Sequence, residues 1–169
     1  MDKPAGHNNF RAAASFLFLC LFCLAPQSRS ALASGLTPYD NKSATIYVYH
    51  RIGEDQFPET NIRTTQFEVH VREILTGDYN VIPLAVLVKN LKDSKAMPRK
   101  TIALTFDGGH KSVLHEAAPL LNAHEIPFTV FFSPGKADLN TDNFLNWRDL
   151  KAFARHKNVT FGLHPDTYD

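Results

Sequence analysis

The sequence is poor in cysteine: its 169 residues include only Cys20 and Cys23. Both lie in one apolar run near the N terminus, and neither follows the small residues that a lipoprotein cleavage site requires. If that run is removed on export, the mature chain contains no thiol. Disulfide bonds and thiolate metal sites are then excluded, and a bound metal has to be held by His, Asp or Glu.

Hydrophobic runs of membrane-spanning length are also missing. The apolar run near the N terminus covers residues 12–25, which is 14 residues, whereas a spanning helix needs about 20. It follows two basic residues and precedes Ala31-Leu32-Ala33, the pattern of a cleaved signal peptide. We therefore predict an exported protein, periplasmic or secreted, that is cleaved after Ala33, keeps no stable membrane span, and begins with a short leader over residues 34–43.

Neither sign of charge is in excess. After the predicted cleavage the chain would carry 15 Lys and Arg against 16 Asp and Glu, a net charge near −1. Proteins that bind nucleic acid or an anionic membrane surface usually carry a basic surplus. The composition therefore gives no support to nucleic acid as a partner.

The sequence does contain short apolar segments that alternate with helical patterns. β-Branched and aromatic runs predict four strands, at residues 44–50, 101–107, 127–133 and 159–164, with a shorter fifth strand at residues 79–82. The first of these is expected to be buried on both faces. Helices are expected from a capping box at residues 65–68, over residues 84–92, over residues 111–123 with a kink at Pro119, and after Asn146. This alternation predicts an α/β fold with a mainly parallel sheet, as one domain over residues 44–169.

Polar residues stand at the carboxyl ends of the four main strands, namely His50, Asp107, Ser133 and His164. Carboxyl ends of parallel strands meet at one edge of a sheet, which is where α/β proteins place their sites. A carboxylate and imidazoles suit either a divalent metal or acid-base chemistry. A strand-end His or Asp is also often a cap for the loop that follows, so each residue alone leaves both interpretations open.

Three segments resemble one family in the same order. TFDGG, at residues 105–109, resembles the TFDDG motif of the polysaccharide deacetylases, also called the NodB-homology group or carbohydrate esterase family 4. VYHRIGED, at residues 48–55, resembles the strand that opens many of these domains. FGLHPDTYD, at residues 161–169, stands where the family carries its HxxxH motif.

The resemblance implies a NodB-type (β/α) barrel, here partial, with four to five mainly parallel strands and flanking helices. It implies a hydrolase that removes acetyl groups from an N-acetylated glycan, such as a chitooligosaccharide or peptidoglycan, with a divalent metal, most often zinc. By position, Asp107 matches the catalytic base and His164 the first metal-binding histidine. A metal would polarise the acetyl carbonyl and acidify a water, from which the carboxylate takes a proton.

Two positions depart from the family. Gly108 replaces the metal-binding aspartate, and Tyr168 replaces the second histidine, which puts the zinc site in doubt. His110 and Asp166 are the candidate substitute ligands. His50 and Tyr168 are expected to contact substrate.

The chain also supplies fewer strands than the family's barrel, which we interpret as a truncated or frameshifted product or a fragment of a longer protein. An uncovered sheet edge would favour self-association. The activity expected from the resemblance is deacetylation of a glycan. Both an active and an inactive truncated chain are compatible with the motifs. The alternative is a noncatalytic glycan-binding or interaction protein on a degenerate deacetylase scaffold, which Gly108 and Tyr168 favour.

Overall fold

The computed structural model describes residues 41–166. The predicted signal peptide, most of the leader, and Tyr168 lie outside these residues. Within them no helix is long and apolar enough to cross a membrane. The strands are β1 (Thr45–Tyr49), β2 (Arg51–Ile52), β3 (Asn61–Ile62), β4 (Asn80–Val81), β5 (Thr101–Asp107), β6 (Phe128–Phe132) and β7 (Val159–Leu163). The helices are α1 (Thr64–Thr76), α2 (Leu84–Lys92), α3 (Ala118–Ala123), α4 (Pro134–Leu139) and α5 (Trp147–Phe153), with a π-helical turn at Val113–Ala117.

The main sheet is parallel and has the strand order β1-β5-β6-β7, while β4 pairs with the first two residues of β5. All of its pairings are parallel, so every strand ends at the same edge. β2 and β3 form a separate parallel pair. This arrangement confirms the predicted α/β class with a mainly parallel sheet and flanking helices.

One face of the sheet is packed tightly by helices. Phe106 of β5 lies edge-on to Phe67 of α1, with ring centroids 6.0 Å apart, and 5.6 Å from Phe128 of β6. Phe128 in turn lies 5.8 Å from Phe153 of α5. All four rings are at most 1% exposed, so this aromatic cluster forms the centre of the core.

The prediction that the first strand is buried on both faces is wrong. Ile46, Tyr47 and Val48 are 43%, 40% and 53% exposed, because β1 is an end strand of the sheet among the described residues. Its apolar run resembles that of a central strand, since composition does not show how many neighbours a strand will have. Among the described residues β1 therefore leaves one edge of the sheet open.

The helices differ from the sequence expectations at their ends. α1 begins after Arg63, with Gln66 closing its capping box, two residues earlier than the expected box at 65–68. The helix expected over residues 111–123 contains a π-helical turn at Val113–Ala117, which ends two residues before Pro119. A proline has no backbone N–H to donate, and a π-helical turn accommodates the resulting change in the helical hydrogen bonds. The short helix α4 was not expected from the sequence.

Candidate functional site

Asp107 ends the central strand of the sheet. The six residues before it in β5 are all buried, and Asp107 itself is half-buried. It pairs in register with Phe131 of β6, so the two side chains stand on the same sheet face. Alternation along β5 places this face opposite to Phe106 and the aromatic core. The structure thus delivers the predicted catalytic carboxylate to the carboxyl edge, on the face that helices α1 and α5 do not cover.

Two glycines turn the chain after Asp107. Gly108 and Gly109 have φ angles of +87° and +64°, a region that glycine adopts without strain. A Cβ atom on Gly109 would lie 2.8 Å from the Cβ of Phe132, so backbone and strand approach closely here. The segment that contains Phe144 fixes the turn: Leu145 N–H donates to the Gly109 carbonyl at 2.8 Å.

The turn buries His110, one of the two proposed substitute metal ligands. His110 is 4% exposed and forms a β-bridge with Phe144. The centroids of the two rings lie 4.8 Å apart. Its Nδ1 atom is buried and has no hydrogen-bond partner among the described residues. Lys136 Nζ lies over the same Phe144 ring, 4.6 Å from its centroid.

Burial lowers the pKa of the His110 imidazole to about 3. The positive charges of Arg51 and Lys136, followed by His50 and His164, lower that pKa further. His110 is therefore neutral near pH 7 and keeps a free lone pair.

His164 and Asp166 follow β7 at the same edge. The His164 backbone N–H donates to the Phe132 carbonyl at 2.9 Å, and its Nδ1 lies 2.8 Å from the Pro165 carbonyl oxygen. The Asp166 carboxylate accepts a hydrogen bond from the Ser133 hydroxyl and another from the Gly135 N–H at 3.1 Å. These two contacts tie the segment after β7 to the start of α4, and they engage the carboxylate that was proposed as a metal ligand.

His50 follows β1 directly and is half-buried. β1 and β5 are in register up to Tyr49 and Phe106, so His50 stands beside Asp107 in the next row. Its expected contact with substrate stays a prediction. The same expectation for Tyr168 falls outside the described residues.

The described residues do not complete a metal site of the kind the resemblance implies. Within residues 41–166 no group of three or more His, Cys, Asp or Glu side chains is placed to hold a metal ion, and a zinc site of this kind needs about three protein ligands. Gly108 has no donor atom, and Asp166 is held by Ser133 and Gly135. Metal binding by His164, His110 and Asp166 therefore stays a prediction.

A groove of about 440 Å³, not foreseen from the sequence, lies on the same sheet face as Asp107. Phe131 and Gly162 contribute to one wall, and helix α2 contributes Leu84 and Val88 to the other. The Phe131 ring covers Gly162 so closely that a Cβ atom there would overlap it. Alternating small and large residues in β6 and β7 could have indicated this packing, but the position of α2 could not be read from its own sequence.

The amino-acid sequence of this region matches a known protein family. The model of the polysaccharide deacetylase family matches residues 94–169, which include β5, the glycine turn and β7. The match supports a divergent relationship to the polysaccharide deacetylases. The resemblance of the TFDGG and FGLHPDTYD segments is thereby confirmed.

Curated relatives agree with the family match. Poly-β-1,6-N-acetyl-D-glucosamine N-deacetylase of Escherichia coli K12 is 20% identical over 156 residues, which cover 82% of this chain and 23% of that enzyme. The same enzyme of E. coli O157:H7 matches equally well. The chain therefore spans about a quarter of the length of these relatives.

Solved deacetylase structures share the fold. Streptococcus pyogenes deacetylase PplD superposes with a TM-score of 0.63 at 17% identity, over 72% of this chain and 55% of PplD. IcaB from Ammonifex degensii gives a TM-score of 0.63 at 22% identity, over 72% and 52% of the two chains. These likenesses confirm the expected NodB-type fold for the strands and helices described above.

Proposed function

We propose that this chain forms the strand-end part of a carbohydrate deacetylase site and takes an N-acetylated glycan as its ligand. The observation that carries the proposal is the position of Asp107, half-buried at the end of the central strand and beside Phe131 on the open face of the sheet. The family match over residues 94–169 and the N-acetylglucosamine polymer named for the curated relatives support the same ligand class. A chitooligosaccharide or a peptidoglycan strand has the same acetamido group.

In the proposed reaction the amide bond of an acetamido group is hydrolysed by water, giving a free amine and acetate. Asp107 takes the proton of the attacking water, since a carboxylate at a sheet edge can approach the scissile carbonyl while the flanking glycines leave room for substrate. His50 and His164 stand on either side of this position and can donate hydrogen bonds to the sugar or to the acetyl oxygen. The family's metal would polarise the acetyl carbonyl, but the described residues do not complete its site.

The N-terminal pattern of residues 1–33 supports an exported protein that meets its glycan in the periplasm or outside the cell. The open strand β1, with its exposed Ile46 and Val48, supports self-association through the sheet edge. Size-exclusion chromatography with light scattering, on the wild type and on Val48→Lys, tests this contact. A monomeric wild type at high protein concentration would contradict it.

A second function, glycan binding without hydrolysis, is favoured by one specific observation. No group of three metal-ligating side chains is present within residues 41–166, while the groove that Phe131 lines has room for a sugar. Aromatic rings favour contact with the apolar faces of sugars and need no metal for it. The two functions share a ligand and differ in whether acetate is released.

One experiment separates them. The wild type and Asp107→Asn are each mixed with β-1,4- and β-1,6-linked N-acetylglucosamine oligomers, with and without added zinc, and released acetate and calorimetric binding are measured. Acetate release that falls by about 10²–10⁴ in the variant supports the deacetylase, the range for losing a general base. Binding without acetate release in either protein supports the second function, and the absence of both binding and release contradicts the proposed site.

A further inference from the structure

The side chain of His110 occupies the space next to Gly108. A Cβ atom built on Gly108 would lie 2.7 Å from His110 Nε2 and 3.2 Å from its Cδ2. Carbon and nitrogen atoms that are not bonded do not approach to 2.7 Å without a shift. A side chain at position 108 and the observed imidazole therefore cannot occupy this place together.

The imidazole is not the loose end of a flexible side chain that could simply move aside. His110 is only 4% exposed, and its ring centroid lies 4.8 Å from that of Phe144. The His110 backbone also forms a β-bridge with Phe144. The N–H of the next residue, Lys111, donates to the Asn143 carbonyl at 3.1 Å. The segment that contains Asn143 and Phe144 therefore holds the ring in place, and moving the ring would disrupt the packing between this segment and the turn.

We propose that His110 fills the place of the side chain missing at Gly108 and keeps a metal-ligand carboxylate out of the strand tip. The metal site implied by the family is then closed by packing as well as by the loss of a donor atom. Restoring an aspartate at position 108 alone should not restore metal binding, because its side chain would meet the imidazole. Substitution at both positions should open the place again.

This inference uses the site of the proposed function but not its activity. It concerns the geometry of Gly108 and His110, and it holds for a deacetylase that works without the family's metal and for a glycan-binding protein alike. Its test therefore measures metal binding directly, while the proposed function is tested by acetate release and glycan binding. Either result can fail without the other.

The test compares two variants that differ only at position 110. Both contain Gly108→Asp and Tyr168→His, which supply the two ligands that the family motifs carry, and one also contains His110→Ala. Zinc binding is measured by calorimetry, and cobalt binding by visible absorption. We expect the variant with His110→Ala to bind zinc about 10- to 100-fold more tightly than its partner, the range seen when the support of a metal ligand is disturbed. Equal affinities, or no binding by either protein, would contradict the inference.

A measurement on the wild type does not depend on whether the variants fold, which matters because an aspartate at φ +87° is strained. Zinc is added in equimolar amount while the imidazole ¹⁵N resonances of His110 are followed, with His110→Gln used to assign them. We expect these resonances to stay unchanged. A zinc-dependent shift of the His110 nitrogens at one equivalent would show that the ring is itself a ligand and would overturn the inference.

Discussion

The two faces of the main sheet are built differently. On one face Phe106, Phe128 and Phe153 form an aromatic cluster that is at most 1% exposed. On the other face Phe131 and Gly162 line a groove beside helix α2, and Asp107 stands in register with Phe131. On this face Thr129 and Thr160 share a hydrogen bond of 2.8 Å between their hydroxyl oxygens.

The difference follows from what each face has to bury. The helix-covered face excludes water and supplies most of the packing energy, so its residues are large and apolar. The opposite face holds polar groups and a groove, and hydrogen-bonding groups together with open space are the features of ligand-binding sites. We therefore expect changes on the first face to act on stability and changes on the second to act mainly on the site.

The sharpest test of this division pairs two phenylalanines from opposite faces. Phe106→Ala should lower the free energy of unfolding by about 3–5 kcal/mol, since it leaves a cavity in the centre of the core. Phe131→Ala removes a ring of the same size from the groove face and should cost clearly less, because Phe131 is only half-buried. Chemical denaturation gives both values. Equal losses would contradict the expectation that the helix-covered face contributes more to stability than the groove face.

Gly162→Ala tests the close contact on the groove face. The added Cβ would lie 2.3 Å from Phe131 Cε1, so the ring has to move, at a cost of about 1–3 kcal/mol for overpacking. The double variant Phe131→Ala/Gly162→Ala should lose less stability than the sum of the two single variants. Additive losses in this double-mutant cycle would show that the ring does not rest on Gly162.

The buried imidazole at the strand tip should make stability depend on pH. The pKa of His110 is lowered to about 3, so the unfolded state takes up its proton first as the pH falls below about 6.5. The stability contribution of the neutral ring is thus present above pH 6.5 and is lost towards pH 3, with about 2 kcal/mol lost between pH 6.5 and pH 5. Arg51, Lys136, His50 and His164 face this ring and oppose its protonation.

Thermal melts of the wild type and of His110→Gln across pH 5–8 measure this dependence, with the exposed His156→Gln as the matched control. The slope of stability against pH should flatten in His110→Gln and persist in the control. An unchanged slope in His110→Gln would show that another group is responsible.

The smallest expected effect concerns helix α5, which covers the aromatic face. Asn146 accepts a hydrogen bond from the Asp149 N–H at 2.9 Å and its own N–H donates to the Asp149 carboxylate at 3.2 Å. Asn146→Ala should cost about 1 kcal/mol and Asn146→Ser much less, since serine keeps the cap. If both substitutions cost the same in denaturation experiments, the cap is not what stabilises this helix.

The sequence was a good guide where a pattern is local. Thr101–Asp107 forms the strand that its apolar run predicts, and Asn146 begins a helix as its capping box indicates. The predictions of burial were wrong where burial depends on contacts with other segments of the chain. The first strand was expected to be buried on both faces, whereas Ile46 and Val48 of β1 are 43% and 53% exposed.

The candidate site divides in the same way. Strand alternation and parallel order predicted that Asp107 and His164 would meet at one edge, because a parallel sheet leaves few other arrangements. The relation of Gly108 to His110 was not foreseen, although a glycine in the place of a carboxylate two residues before a histidine was visible in the sequence. To predict this contact, one would need the path of the turn and the position of Phe144, which lies in a segment distant in the sequence.

The sequence by itself determined the order of strands and helices, the carboxylate at the tip of β5, and the resemblance to deacetylases, since these depend on periodicity and on short motifs. Only the tertiary structure decided which strand lies at an edge, where Asp166 is bound, and what fills the space beside Gly108. These features depend on contacts between segments far apart in the chain, and close packing allows one side chain in a place where the sequence would have permitted two.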